Sequence, residues 1–267
     1  MMEIVRLALE EDIGAGDVTS RACVPEGLRA RGTFLAREPL VLAGTGVLAE
    51  LFENLKLRKQ DGDRCAEGEI IATVEGSART LLERERVSLN FLQRLSGVAT
   101  LARQFADAVA GTKCRVLDTR KTTPGMRLLE KHAAAAGGVT NHRMGLYDAI
   151  LIKNNHITAA GGVRNAVARA SRPAHGEFDI ELEVRTPVEL QEALTAGVRH
   201  LLLDNLTPAE AAAWIREIAG RATVELSGGI TLETVRAYAE TGADFVSAGA
   251  ITHSARAVDI SLRLELA

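Results

Sequence analysis

From residue 114 onward the chain alternates short apolar, β-branched runs with helix-period stretches, joined by links of a few residues. The apolar runs cover 114–117, 149–152, 178–184, 200–203, 222–226 and 245–246, and helices are predicted over 125–136, 163–171, 187–196, 208–218 and 232–240. Thr186, Thr207 and Thr231 are N-cap candidates, with Pro187 and Pro208 at the first helical position. Glu189 and Glu210 complete capping boxes, while Thr234 is an imperfect partner for Thr231. Gly137, Gly197, Gly220 and Gly242 are placed to close four of the helices. Repetition of this kind demands right-handed crossovers and a parallel sheet. Six strands fall two short of the eight in a complete barrel. An incomplete α/β barrel is therefore the first reading and a doubly wound open sheet the second.

The ends of the strands favour the barrel, whose reacting groups collect at the C-terminal mouth and whose phosphate sits on the loops after the last two strands. Here the apolar runs end in Asp118 to Lys121, Lys153, Glu183, Asp204, Ser227-Gly228-Gly229 and Ser247-Ala248-Gly249. Glycines in the last two loops would let backbone N–H groups approach an anion. A Gly-Gly pair alone is only turn geometry; the second glycine loop at the right distance is what points to phosphate.

The first 100 residues follow another pattern. A short helix over 5–11, alternating strands within 32–43, a helix over 46–54, and a strand over 68–75 after the Asp61-Gly62-Asp63 turn are expected. A helix over 81–95 carries Arg84, Arg86 and Arg94, and a second helix over 97–110 leads onward. The tail over 258–264 alternates apolar and polar, as a half-exposed strand does. The domains so read are an α/β open sandwich over 1–100, completed by the tail 255–267, and the incomplete α/β barrel over 101–254.

Composition narrows the class further. Hydrophobic residues make up 46% of the 267 and aromatics only 3%, so the core is aliphatic. No apolar run reaches the roughly 20 residues that span a bilayer, and Met1-Met2-Glu3-Ile4-Val5 lacks the basic start of a signal peptide. Cys23, Cys65 and Cys114 are far apart and odd in number, which suits buried thiols in a reducing cytoplasm. A net charge of −3 with few aromatics does not suggest nucleic acid. Against that balance, residues 115–156 hold seven Lys/Arg (115, 120, 121, 127, 131, 143, 153) and three acids (118, 130, 148), a local +4. A charge opposing the whole suggests a pocket for a small polyanion, with a solvated rim of ion pairs as the plain alternative.

Five motifs, spread nearly end to end, carry a resemblance. They are Glu11-Asp12-Ile13-Gly14-x-Gly16-Asp17-x-Thr19-Ser20, Glu85-Arg86-x3-Asn90-x5-Ser96-Gly97-x-Ala99-Thr100, Asp118-Thr119-Arg120-Lys121-Thr122, Asn141-His142-Arg143-x-Gly145-Leu146-x-Asp148 and Ser247-x-Gly249-x3-His253-Ser254. In this order they resemble the quinolinate phosphoribosyltransferases. The resemblance implies a two-domain homodimer with shared active sites. It also implies transfer of phosphoribosyl from phosphoribosyl pyrophosphate to quinolinate with Mg²⁺, releasing pyrophosphate and CO₂ and forming nicotinate mononucleotide for NAD synthesis. Asn154 stands where an acid is expected before Asn155-His156, and Arg256 where a proline is expected.

By the same resemblance Arg86, Thr119, Arg120, Lys121, His142, Arg143 and Lys153 hold quinolinate. Arginine forks suit its two adjacent carboxylates. Glu183, Asp204, Ser227, Gly228, Gly229, Ser247, Gly249 and His253 take phosphoribosyl pyrophosphate, Glu183 and Asp204 being hard oxygen ligands for the metal. Lys121, Lys153, Glu183 and Asp204 are the candidates for the chemistry. No nucleophile is required, because the pyridine nitrogen carries a lone pair. Three rivals remain: a Schiff-base aldolase using Lys153, a nicotinate phosphoribosyltransferase, and a non-catalytic anion-binding paralogue of the same fold.

Overall fold

The computed structural model describes residues 2–172 and 178–266, and Met1, residues 173–177 and Ala267 lie outside them. In chain order the elements begin with helix α1 (Glu3–Ile13), α2 (Val18–Cys23), strands β1 (Arg29–Ala36) and β2 (Leu40–Val41), α3 (Thr45–Leu51), β3 (Leu55–Leu57), β4 (Arg64–Cys65), β5 (Ile70–Ser77) and α4 (Ala78–Ala108). There follow β6 (Arg115–Leu117), α5 (Arg127–Ala136), β7 (Ile150–Ile152), α6 (Asn154–Ala160), α7 (Val163–Ala170), β8 (Ile180–Val184) and α8 (Pro187–Thr195). Last come β9 (His200–Asp204), α9 (Pro208–Ile218), β10 (Thr223–Ser227), α10 (Val235–Ala239), β11 (Phe245–Ser247), α11 (Ala250–His253) and β12 (Ile260–Leu266).

The chain divides into two compact units, one of Met1–Arg103, Thr122–Gly138 and Ser254–Ala267, the other of Gln104–Lys121 and Val139–His253. The first is built on an antiparallel sheet ordered β12-β1-β5-β3, with β2 and β4 pairing separately. β1 is its axis, running antiparallel to β12 from Ala30↔Leu266 to Ala36↔Ile260 and to β5 on its other side. Phe34, Leu42, Leu48, Ile71, Leu92 and Leu95 are buried in its core, where Phe34 packs on Phe52 with tilted rings 5.9 Å apart.

Two glycines explain where this unit departs from its sequence pattern. The expected break between helices at 95–97 is absent, and α4 runs unbroken for 31 residues. Gly97 sits inside it because a Cβ there would stand 2.0 Å from the carbonyl oxygen of Arg256. Its smallness serves close approach rather than termination. Gly137 likewise faces Ala99 O at 2.4 Å and Ala102 Cβ at 2.5 Å, and Gly138, at φ 98°, takes the left-handed turn after α5 in its place. Residues 122–138 group with this unit through that packing and through Glu130. The wholly buried Glu130 carboxylate accepts Arg94 Nη2 at 2.7 Å and Thr123 N–H at 2.9 Å.

The second unit carries the six expected strands in one parallel sheet ordered β6-β11-β10-β9-β8-β7. Its first strand, β6, pairs with its last, β11 (Phe245↔Arg115, Val246↔Val116, Ser247↔Leu117). That pairing closes a barrel and has no place in an open doubly wound sheet. The opening lies between β6 and β7, where Thr140 makes a single parallel bridge to Leu117. Thr186 and Thr207 cap α8 and α9, accepting the N–H of Glu189 at 3.2 Å and of Glu210 at 3.3 Å, and both boxes are reciprocated. Thr231 instead donates its N–H to Thr234 Oγ1, and α10 starts only at Val235. The Thr234 hydroxyl thus makes the return bond of a capping box, but the Thr234 N–H goes to the Thr231 carbonyl at 3.2 Å instead of to its side chain, and the segment stays a turn.

Candidate active site

Asp118 organises the loops after β6 and before β7. Its fully buried carboxylate accepts Asn141 Nδ2 at 2.7 Å and the His142 N–H at 2.8 Å. One acid thus ties the Thr119–Lys121 loop to the Asn141-His142-Arg143 segment. Thr119 Oγ1 accepts the Lys121 N–H at 3.0 Å, and Thr252 Oγ1 donates to the Lys121 carbonyl at 2.8 Å. Arg143 Nη1 donates to Ala149 O at 3.0 Å. Burial and then the neighbouring charge of Arg120 lower the Arg143 pKa, so two guanidiniums are held near one another in a partly desolvated place. Asp148 caps the same segment by accepting Met144 and Gly145 N–H groups. Burial would raise its pKa, but those bonds hold it low.

His142 turns its ring into the barrel. Nε2 lies 3.2 Å from Glu181 Oε2 and 3.3 Å from Glu225 Oε2. Neither acid was a sequence candidate. Burial disfavours a charged imidazole, but the two carboxylates outweigh it and carry its pKa up to about 10. Burial, with Glu181 adding its charge, raises Glu225. Both shifts describe one proton held among three groups. Nδ1 accepts the Arg143 N–H at 2.7 Å, a bond that uses the lone pair a second ring proton would need. The triad carries one net negative charge wherever the proton resides.

Around Glu183 the partners are Lys153 and Arg185. Its side chain is 3% exposed; Oε2 lies 3.3 Å from Lys153 Nζ and Oε1 lies 2.7 Å from Arg185 Nη2. The latter contact is an ion pair without an aligned hydrogen bond, and Oε1 accepts none from any described residue. Arg185 Nη2 also reaches Asp204 Oδ2 at 3.1 Å. Lys153 precedes α6, where its N–H donates to His156 Nδ1 at 2.9 Å. This gives His156 a local role, reaching back to close the first turn.

The glycine loops hold themselves as well as any ligand. Ser227 Oγ donates to Asp204 Oδ1 at 2.7 Å, and the Ser247 hydroxyl bonds Glu225. Gly228, at φ 95°, lies so close to Asn205 that a Cβ would meet its Oδ1 at 2.2 Å. Asn205 itself is left-handed at φ 60°, anchored by its N–H on Ser227 O at 2.9 Å and its amide on Asp204 at 2.7 Å. Gly229, φ 61°, faces open space, whereas a Cβ on Gly249 would meet Lys121 Cδ at 2.7 Å and the His253 ring at 3.2 Å. The second unit therefore brings together all the expected site residues except Arg86, which is exposed on α4 in the first unit. Of the departures, Arg256 forms a two-bond ion pair with Glu38 at 2.8 and 2.5 Å within the first unit. Nothing in the structure explains Asn154.

The model of the quinolinate phosphoribosyl transferase N-terminal domain matches residues 17–96, and that of the C-terminal domain matches residues 98–263. The chain belongs to this family. It is 41% identical over 262 residues to a probable carboxylating nicotinate-nucleotide pyrophosphorylase of Bacillus subtilis, covering 96% of this chain and 90% of that one. A carboxylating nicotinate-nucleotide pyrophosphorylase of Mycobacterium leprae is 42% identical over 274 residues, covering 98% and 96%. The crystal structure of the Ehrlichia chaffeensis nicotinate-nucleotide pyrophosphorylase superposes with a TM-score of 0.94 at 36% identity, covering 98% of each chain.

Within this quinolinate phosphoribosyl transferase chain the sequence reading passed over Glu181, Glu225 and Arg185. A signal was present for the acids: each interrupts an apolar strand, as Ile180-Glu-Leu-Glu-Val and Val224-Glu-Leu. A charge at such a position must be paired or protonated. The expectation of three buried thiols also needs correction. Cys65 and Cys114 are buried, the latter with its pKa pushed by burial to about 12, but Cys23 is exposed. It ends α2, a short helix that buries only Ser20.

Proposed function

We propose that this chain joins quinolinate to phosphoribosyl pyrophosphate and decarboxylates the product, yielding nicotinate mononucleotide, pyrophosphate and CO₂. The observation that carries this reading is the pair Arg120 and Arg143, set on two loops tied by Asp118 and near enough for one charge to depress the other. Two guanidinium forks suit a ligand with two adjacent carboxylates better than one with a single carboxylate. Thr119, Lys121 and Lys153 add donors beside them. His142 stands apart from these donors, because both its ring nitrogens are engaged, Nε2 by Glu181 and Glu225 and Nδ1 by the Arg143 N–H.

The pyridine nitrogen attacks the anomeric carbon as the bond to pyrophosphate breaks. The leaving group carries off the electron pair, with Lys121, Lys153 and His253 nearby to receive its charge. Glu183 and Asp204 face the cationic ribose in that transition state. The carbon–carbon bond to the neighbouring carboxylate then breaks, its electrons enter the pyridinium ring, and a proton replaces CO₂. Gly228, Gly229 and Gly249, with Ser227 and Ser247, shape the loops for the 5-phosphate.

Glu183 and Asp204 fit Mg²⁺. Both are hard oxygen donors, and Glu183 Oε1 is buried without a hydrogen bond. When bound with the substrate, the metal supplies positive charge to the departing pyrophosphate. We further place Arg86 in the site of a two-fold partner, and the reaction in the cytoplasm, where unpaired thiols persist. Among the described residues no helix is long and apolar enough to cross a membrane.

The test mixes purified protein with Mg²⁺, phosphoribosyl pyrophosphate and carboxyl-labelled quinolinate and assays nicotinate mononucleotide and CO₂. Equal turnover of nicotinate would overturn the assignment. Mixed dimers of inactive Arg86→Ala and Lys153→Ala protein should recover about a quarter of the sites, since half the dimers are mixed and each restores one site of two. No recovery, with mixed dimers confirmed by mass, removes the shared site.

A further inference from the structure

We propose that Arg185 is a resident counter-cation of the Glu183–Asp204 pair, displaced when phosphoribosyl pyrophosphate arrives with its metal ion. This rests on the reading that the pair receives the substrate's metal. One guanidinium nitrogen touches both acids, at 2.7 Å on Glu183 and 3.1 Å on Asp204. Their side chains are only 3% and 13% exposed, and a cation shared between two such carboxylates offsets charge that is costly to leave unpaired away from water. Arg185 provides one that never deprotonates, while Lys153 covers the other Glu183 oxygen at 3.3 Å.

The contacts also suit exchange. Glu183 Oε1 gains charge from Arg185 but no aligned hydrogen bond, so a small hard ion meets that oxygen better than a flat guanidinium does. The Arg185 side chain is 43% exposed and has solvent to leave into. Its backbone stays, because its N–H donates to Glu189 Oε2 at 2.8 Å, beside the cap of α8. A free divalent ion must expel the guanidinium and gains only the two carboxylates. A metal arriving with pyrophosphate brings an anion on which the released guanidinium can settle. The site thereby favours the complexed metal over the free ion.

Mn²⁺ serves as the probe, titrated into substrate-free protein and followed by the electron paramagnetic resonance signal of the unbound ion. Arg185→Gln should bind one Mn²⁺ per chain at least about tenfold more tightly than wild type, the scale of one lost charged contact. Adding Glu183→Gln to Arg185→Gln should abolish the gain. Arg185→Lys, which keeps the charge but cannot bridge both acids, should give a smaller gain in the same direction and serves if Arg185→Gln folds poorly. Unchanged Mn²⁺ affinity in both single variants, or a gain that survives Glu183→Gln, overturns the proposal. No substrate enters this titration, so failure to form nicotinate mononucleotide would be read separately.

Discussion

Glu181 and Glu183 project from the same strand, two residues apart and hence on the same face, but their carboxylates are held by different means. Glu181 lies against the His142 ring, which also meets Glu225 and whose pKa the two carboxylates carry up to about 10. Glu183 is held instead by the Lys153 ammonium at 3.3 Å and the Arg185 guanidinium at 2.7 Å. In the His142 cluster each acid meets the same imidazole, and the contacts close on one another. A carboxylate balanced by half-exposed cationic side chains can exchange them for an incoming ion. One barrel interior thus holds a self-contained layer beside a layer open to exchange.

The comparison is broken most directly by removing one carboxylate from each layer. Glu183→Gln should lower turnover at saturating substrate by roughly 10²–10³-fold, the scale of losing one preorganised electrostatic contact. Glu225→Gln, which alters a side chain paired with His142 and Ser247, should cost less than about tenfold. Equal losses in steady-state assays would erase the distinction. Next in size, Arg143→Ala should weaken quinolinate roughly ten- to hundredfold by calorimetry, for the loss of about 1.5–3 kcal/mol. Its melting temperature should hardly move. A large fall in melting temperature with normal affinity would make the arginine a structural ion-pair partner instead.

The proton-sharing layer predicts a pH dependence that the other layer lacks. A folded pKa of about 10 against 6.5 for an unperturbed histidine means that the folded triad keeps a proton the unfolded chain has lost. Its stabilisation is complete below about pH 6.5 and disappears as pH rises to about 10. The melting temperature of Glu225→Gln relative to wild type should therefore improve across that interval, and a flat difference would refute the sharing. The smallest effect lies on the surface. The Arg256 fork and the Asp259 N–H hold Glu38 down to about 2, so that pair stabilises above about pH 4.5 and is lost as pH falls toward 2. Arg256 is 72% exposed, and solvent screening limits the gain to about 1 kcal/mol or less. Arg256→Ala should lower the melting temperature slightly at pH 7 and not at all near pH 2.

Much of this was legible because it is local. Six apolar runs announced six strands, and Thr186 and Thr207 announced their caps with their proline and glutamate partners. Groups at strand ends could be found because a barrel places them there. What escaped was set by distant packing. Gly97 reads as a helix breaker until the Arg256 carbonyl is seen against it. Ser227 and Ser247 read as phosphate donors, yet their hydroxyls also bond Asp204 and Glu225. His142 read as a lone cation because its two acids come from strands far along the chain.

The position of β12 bears on the order in which the molecule can be made. Every strand of the parallel sheet lies before residue 248, whereas β1 needs residues 260–266 to cover one of its edges. During synthesis the barrel strands leave the ribosome together as a finished set. β1, made early, can pair with β5 but must wait with its other edge facing water. The chain is thus most open to wrong edge pairing in its earliest-made sheet, for as long as translation of the barrel lasts.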